Sequence, residues 1–164
     1  QFAMWVGAII QDIKQRIVLI TPEGKEEETV TRLARVGYDH TVGYLKGGVA
    51  AWDGKLTTIT SVSAEEVAQT EECTIVDVRK PGEYQSEHVE NAIFYPLDYM
   101  NDELNKLDKN TTYHVHCAGG YRSVIAISLL MRNVYTNLFD IAGGYGALKN
   151  TSIPKTDYVC PSTL

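Results

Sequence analysis

Cys117 and Arg122, with two glycines between them, are the residues whose types and spacing could do chemistry. They share one short turn, Cys117-Ala118-Gly119-Gly120-Tyr121-Arg122, followed by Ser123. The run Thr111 to His116 reads as a strand entering that turn, and Ser123 to Met131 as an apolar helix leaving it. A cysteine between a strand end and a helix start faces the unpaired N–H groups of the first helical turn. Those groups and the helix dipole favour an anion. A thiol of ordinary pKa, about 8.5, is drawn toward its thiolate there. The chemistry indicated is nucleophilic attack by sulfur. Gly119 and Gly120 suit a loop that must approach the anion closely and adopt positive φ. The N–H groups from Ala118 through Ser123 can curl around it as a nest. Arg122 could hold an anionic group or brace the loop. Cys73 and Cys160 sit in ordinary surroundings and read as small hydrophobes. His116 precedes Cys117, but strand alternation turns its side chain the other way, so a structural role is expected.

The elements that must position this turn alternate along the second half of the chain. Ser63-Ala64-Glu65-Glu66 is a capping box before a short helix. Thr74 to Arg79 reads as a buried strand, broken at Lys80-Pro81-Gly82 and followed by a helical turn from Glu83 to Glu87. Ala92 to Tyr95 reads as another strand, and Leu97 to Leu107 as an amphipathic segment. After the Cys117 turn and its helix come a strand over Asn137 to Ile141 and a last helix opened by Gly143-Gly144. Such alternation implies an α/β fold with a central parallel sheet and helices on both faces. Sites in such folds lie outside the carboxyl ends of the strands, where Cys117 and Arg79 both fall. For Asp77 and Arg79 a salt bridge or loop brace is expected, with Arg79 able to reach the pocket rim.

The chain also repeats itself. Lys46-Gly47-Gly48 to Trp52 corresponds to Ala142-Gly143-Gly144 to Leu148 at an offset of 96. At that offset Thr21 takes the place of Cys117 and Glu26 that of Arg122, so the first copy has the scaffold without the nucleophile. Gln1 falls on Leu97, so residues 1–57 read as the rear of a domain and 58–164 as a whole one. The polar stretch Asp53 to Thr58 reads as the linker. The acidic run Glu23 to Glu28 reads as a solvated loop and helix start.

Bulk properties exclude some classes. A net charge of −6 offers no basic stripe for nucleic acid. No apolar run approaches the roughly 20 residues that span a bilayer, so no membrane partner is expected. No secretion leader is visible, and three cysteines in no zinc spacing suit a reducing cytosol, so a cytoplasmic location is expected. Because residue 1 is Gln, a fragment or processed product is expected.

The second copy resembles a rhodanese domain, the sulfurtransferase fold. The resemblance rests on Val76-Asp77-Val78-Arg79, Glu87-His88-Val89-Glu90-Asn91-Ala92, His116 through Ser123, and Ile141-Ala142-Gly143-Gly144-Tyr145. It implies a three-layer α/β fold, plus an incomplete and inactive second copy over residues 1–57. It also implies sulfane-sulfur transfer from thiosulfate or a low-molecular-weight persulfide to a thiol or cyanide through a Cys117 persulfide. Ala118, Gly119, Gly120, Tyr121, Arg122 and Ser123 would form the anion-binding loop, with Asp77 and Arg79 in support. His88 would fix a turn. Cysteine phosphatases are similar but have five residues between cysteine and arginine; here there are four, which favours sulfur over phosphate. The first copy, through Arg32 to Asp39 and Gly43 to Gly48, is similar to tandem-rhodanese proteins with an upstream metallo-β-lactamase-like domain resembling persulfide dioxygenases. A metal is expected only in that upstream domain, and no cofactor in this chain. The expected partners are small sulfur donors and acceptors and the upstream domain, with homo-oligomerisation left open. The rival reading is a non-catalytic docking or regulatory module of a larger metallo-β-lactamase-fold protein.

Overall fold

The structure, a computed structural model, describes residues 2–160. It divides into two compact units, Gln1–Thr57 and Thr58–Leu164. Among the described residues no helix is long and apolar enough to cross a membrane.

The first unit contains α1 (Phe2–Ile9), β1 (Ile17–Leu19), α2 (Glu26–Ala34), β2 (Thr41–Tyr44) and a 3₁₀ turn (Gly48–Ala51). Glu26, Glu27 and Glu28 fill the first turn of α2, where carboxylates oppose the positive end of the dipole. β1 and β2 pair in parallel, with a bulge: Ile17 faces Thr41, but Val18 faces Gly43, so Val42 is passed over. Leu19, Leu33 and Tyr38 form a small core with Val6, Ile10, Ile17 and Val36 against it. The strands leave Val18, Ile20, Val42 and Tyr44 between 49% and 66% exposed. That is more apolar strand surface than a finished sheet leaves open.

The second unit contains β3 (Thr60–Val62), α3 (Ala64–Gln69), β4 (Ile75–Asp77), α4 (Pro81–Ser86), β5 (Ile93–Phe94) and a 3₁₀ turn (Leu97–Asp102). These are followed by β6 (Tyr113–His116), α5 (Tyr121–Arg132), β7 (Leu138–Ile141) and α6 (Gly144–Leu148). Its five strands run in the order β3-β7-β6-β4-β5, every pair parallel. All three residues of β4 are buried, as expected for a strand covered on both faces. α3 and α6 contribute Ala64, Val67, Tyr145 and Leu148 to one apolar cluster. α5 buries Ser123, Ala126, Ile127 and Leu130, a stripe at helical spacing. Ser63 and Glu66 form the anticipated reciprocal cap on α3.

Two segments depart from the sequence reading. α5 begins at Tyr121, not Ser123, because Gly120 takes a left-handed φ of 102 and serves as the N-cap. The segment from Leu97 is a 3₁₀ turn, not an amphipathic helix. Bonds to the third residue back recur, from Tyr99 to Pro96 and from Lys106 to Glu103. The buried Tyr95 hydroxyl donates to the Glu103 carbonyl at 2.6 Å, so that oxygen accepts from both Tyr95 and the Lys106 N–H. Beyond α6 the chain runs back along the end of α4. Val89 bridges Lys155, Thr156 N–H donates to His88 O at 2.9 Å, and Val159 N–H donates to Ser86 O at 2.7 Å.

Candidate functional site

β6 delivers Cys117 to the middle of the sheet's carboxyl edge, with β4 on one side and β7 on the other. The connections leave in opposite directions there, and ligand crevices form at such a point. No side chain caps α5, and its first turn holds no acid. The sulfur fills that role: Gly120 N–H donates to Cys117 Sγ at 3.2 Å, and Ser123 Oγ lies 3.7 Å away. Burial pushes the thiol up. The N–H groups of Ser123, Gly119 and Gly120 and the Ser123 hydroxyl pull it down and prevail, leaving it below the ordinary thiol range. Cys117 is 1% exposed. Its neighbours include the loop's own amides as well as the sheet.

Gly143 and Gly144 clamp the loop from below. A side chain at Gly144, where φ is +56, would strike the Cys117 carbonyl. That close approach lets Tyr145 N–H donate to Cys117 O at 2.7 Å and Gly146 N–H to Ala118 O at 3.0 Å. Gly119 departs from expectation: its φ is not positive and a Cβ there meets nothing within 4 Å, so only Gly120 carries the left-handed kink.

Arg122 braces the loop. Its guanidinium forms a two-pronged pair with Glu83 of α4, at 2.5 and 2.8 Å. Burial pushes the Glu83 carboxyl up, but Arg122 and the Lys80 N–H pull it net below the usual range. Asp77 and Arg79 form a buried pair at 2.6 Å, and Arg79 also donates to Glu87 O at 2.8 Å. The Arg79 guanidinium lies 3.9 Å over the Tyr145 ring. His116 is fully buried, and its Nδ1 donates to the Cys117 carbonyl at 3.1 Å, not to the sulfur. Burial holds its imidazole toward the neutral form. His88 donates from Nδ1 to Tyr84 O at 2.7 Å and stacks on the Tyr84 ring, fixing the turn after α4. Tyr121 points outward, 63% exposed.

A pocket of about 490 Å³ opens beside Ala118, lined also by Arg79, Glu83, Glu87, Tyr145, Lys149 and Tyr158. Glu83, Tyr145 and Lys149 were not anticipated as pocket residues. The opposite charge of Glu83 and Arg122 was visible, but the chain separation of 39 gave no reason to pair them.

Residues 63–151, just over half of the chain, match the family model of the rhodanese-like domain. The chain belongs to the rhodanese-like family. Similar proteins include the thiosulfate sulfurtransferase PspE of Escherichia coli (strain K12), 39% identical over 82 residues, which are 49% of this chain and 75% of that protein. A sulfurtransferase of Allochromatium vinosum is 25% identical over 56% of this chain and 85% of its own length. A tRNA uridine(34) hydroxylase of Hamiltonella defensa is 27% identical over 87% of this chain, but over only 35% of that protein. Among solved structures, a rhodanese-related protein of Thermoplasma volcanium has a TM-score of 0.55 and 26% identity, over 59% of this chain and 97% of the other. The rhodanese-like α/β fold with its central parallel sheet is therefore established. In this fold Cys117 directly follows β6, and Arg122 lies in the first turn of α5.

Proposed function

We propose that the second unit is a sulfurtransferase that carries sulfane sulfur on Cys117. The observation that supports this most directly is the sulfur acting as acceptor for a helix start that has no other cap. The Cys117 thiolate attacks the outer sulfur of thiosulfate or of a low-molecular-weight persulfide. A new S–S bond forms at Cys117, and the donor's S–S bond breaks, so sulfite or a thiolate leaves with the electron pair. A thiolate or cyanide then attacks the outer sulfur, and Cys117 leaves as thiolate. No proton transfer to a base is needed at the attacking atom. The loop amides stabilise both the thiolate and the persulfide anion. The curated sulfurtransferase relatives support the reaction class.

We further propose that residues 1–57 are the rear part of an inactive copy and that the two units serve an upstream metallo-β-lactamase-like domain in a cytoplasmic protein. The matching parallel pairs support the copy. Val18–Gly43 and Leu19–Tyr44 in the first unit recur as His114–Phe139 and Val115–Asp140 in the second. Each number rises by the same 96. The test of the reaction is mass spectrometry after incubation with thiosulfate or glutathione persulfide. The Cys117 peptide is expected to gain one sulfur atom, and Cys117→Ser to gain none. Full thiosulfate:thiol activity in the serine variant would overturn the assignment.

A further inference from the structure

We propose that the pocket beside the Cys117 loop is a subsite for a small aminothiol or its persulfide, a ligand carrying both a carboxylate and an ammonium group. This rests on the sulfur-transfer reading and names the substrate class of that site. The residual charges argue for the class. Arg79 is engaged by Asp77, by the Glu87 carbonyl and by the Tyr145 ring. Glu83 is engaged by Arg122. What faces the pocket without an ion pair among the described residues is one cation, Lys149, and one anion, Glu87. A thiosulfate dianion meets attraction and repulsion there in equal number. A zwitterion meets a complement at each end.

Tyr145 is the second observation. It is 8% exposed, and its hydroxyl is engaged by the Glu87 carboxylate, which lines the same pocket. Burial first, and then the hydrogen bond to and the charge of the Glu87 carboxylate, push its phenol up. A phenol that donates to Glu87 still has oxygen lone pairs to offer a ligand's donor. Its oxygen can accept from an ammonium group that also meets the Glu87 carboxylate, while Lys149 takes the carboxylate. The volume of about 490 Å³ lies within the range of about 300–1,000 Å³ typical of small-molecule sites. Ala118 joins the pocket wall to the loop, so a ligand held by its charged end presents its sulfur toward the loop. Tyr158, carried by the strap that Val159 and Ser86 pin to α4, closes part of the rim. In the discharge step the acceptor thiolate attacks the outer persulfide sulfur, the Cys117–sulfur bond breaks, and Cys117 departs with the electron pair. Atoms and electrons balance without an added oxidant.

The test loads the full chain with thiosulfate and compares discharge by four acceptors. They are cysteine (both charges), cysteamine (ammonium only), 3-mercaptopropionate (carboxylate only) and cyanide. At equal thiolate concentration, cysteine is expected to exceed each singly charged thiol by about tenfold in kcat/KM, the effect of one charge-assisted contact. Lys149→Ala is expected to lower the cysteine-to-cyanide ratio about tenfold and the 3-mercaptopropionate-to-cyanide ratio alike, but not the cysteamine ratio. Glu87→Gln is expected to lower the cysteine and cysteamine ratios instead. Tyr145→Phe keeps the ring under Arg79 and is expected to lower the cysteine ratio severalfold. No preference for cysteine, or an equal fall for all acceptors in Lys149→Ala, overturns the subsite. If Cys117 loads with sulfur from no donor, the sulfur-transfer reading fails on its own. Titration with S-methylcysteine then still reads the subsite: binding weakened by Lys149→Ala supports it, and no binding to the unaltered chain overturns it.

Discussion

The loops at Thr21 and Cys117 share a backbone and differ in what meets the helix that follows. Gly24 has φ +80 where Gly120 has +102, and the pairs Gly47-Gly48 and Gly143-Gly144 are left-handed in both units. A side chain at Gly48 would come within 2.6 Å of the Thr21 carbonyl, as one at Gly144 would strike that of Cys117. The chemistry diverges on this common frame. Pro22 stands where Ala118 does and has no N–H to offer. Three carboxylates already answer the start of α2, whereas the first turn of α5 holds none. The Thr21 hydroxyl is shielded without a partner, while the Cys117 sulfur accepts from Gly120. The difference teaches that the frame supplies the donors, and that leaving a helix start uncompensated by side chains reserves them for a reactive anion.

The comparison can be broken at several strengths. The largest expected effect is in Cys117→Ser, whose capacity to take up sulfur should fall to background and should not be restored by adding Thr21→Cys. Sulfur uptake at position 21 in that Thr21→Cys, Cys117→Ser double variant would show that the loops are equivalent after all. Next comes Ser123→Glu, which copies Glu27 into the second unit. A carboxylate against the sulfur should slow iodoacetamide labelling of Cys117 at pH 7 by about tenfold or more. Unchanged labelling would separate reactivity from helix-start charge. Gly144→Ala should destabilise the protein by about 1–3 kcal/mol in denaturant unfolding, from strain at a positive φ beside a carbonyl.

A titration sharpens the same contrast within one unit. Burial raises the Cys73 thiol, whereas the loop lowers that of Cys117. Labelling followed peptide by peptide should therefore rise with pH at Cys117 before Cys73. Because the folded-state value of Cys117 is depressed, its contribution to stability is fully present above the unfolded thiol value, about 8.5, and is lost as pH falls through the folded value. Cys117→Ser should flatten that limb of the stability profile. The smallest effect is expected for Glu83→Gln, which leaves Arg122 a weaker partner and should slow sulfur loading only severalfold.

Much of this was readable from residue order. The strand, turn and helix around Cys117, the Ser63–Glu66 cap and the two glycine pairs each carry a local signature, because their physics spans only a few residues. The start of α5 lies two residues before the apolar run that begins at Ser123, because Gly120 caps by conformation and no side chain announces it. The Glu83–Arg122 pair and the pocket under Tyr145 join α4, α5 and α6, so they follow from packing that no local pattern encodes. The apolar spacing of Leu97 to Leu107 fits a helix, while its backbone bonds close to the third residue back.

The double anchoring of the Cys117 carbonyl, by Tyr145 N–H and His116 Nδ1, has a mechanical implication. The atoms behind the Cys117 sulfur are tethered to α6 on one side and to the preceding residue on the other. A turnover that shuttles a single atom asks little of such a mounting, since only the outermost passenger changes. A bulkier adduct would have to prise the turn away from its glycine bed, so the mounting itself would oppose it.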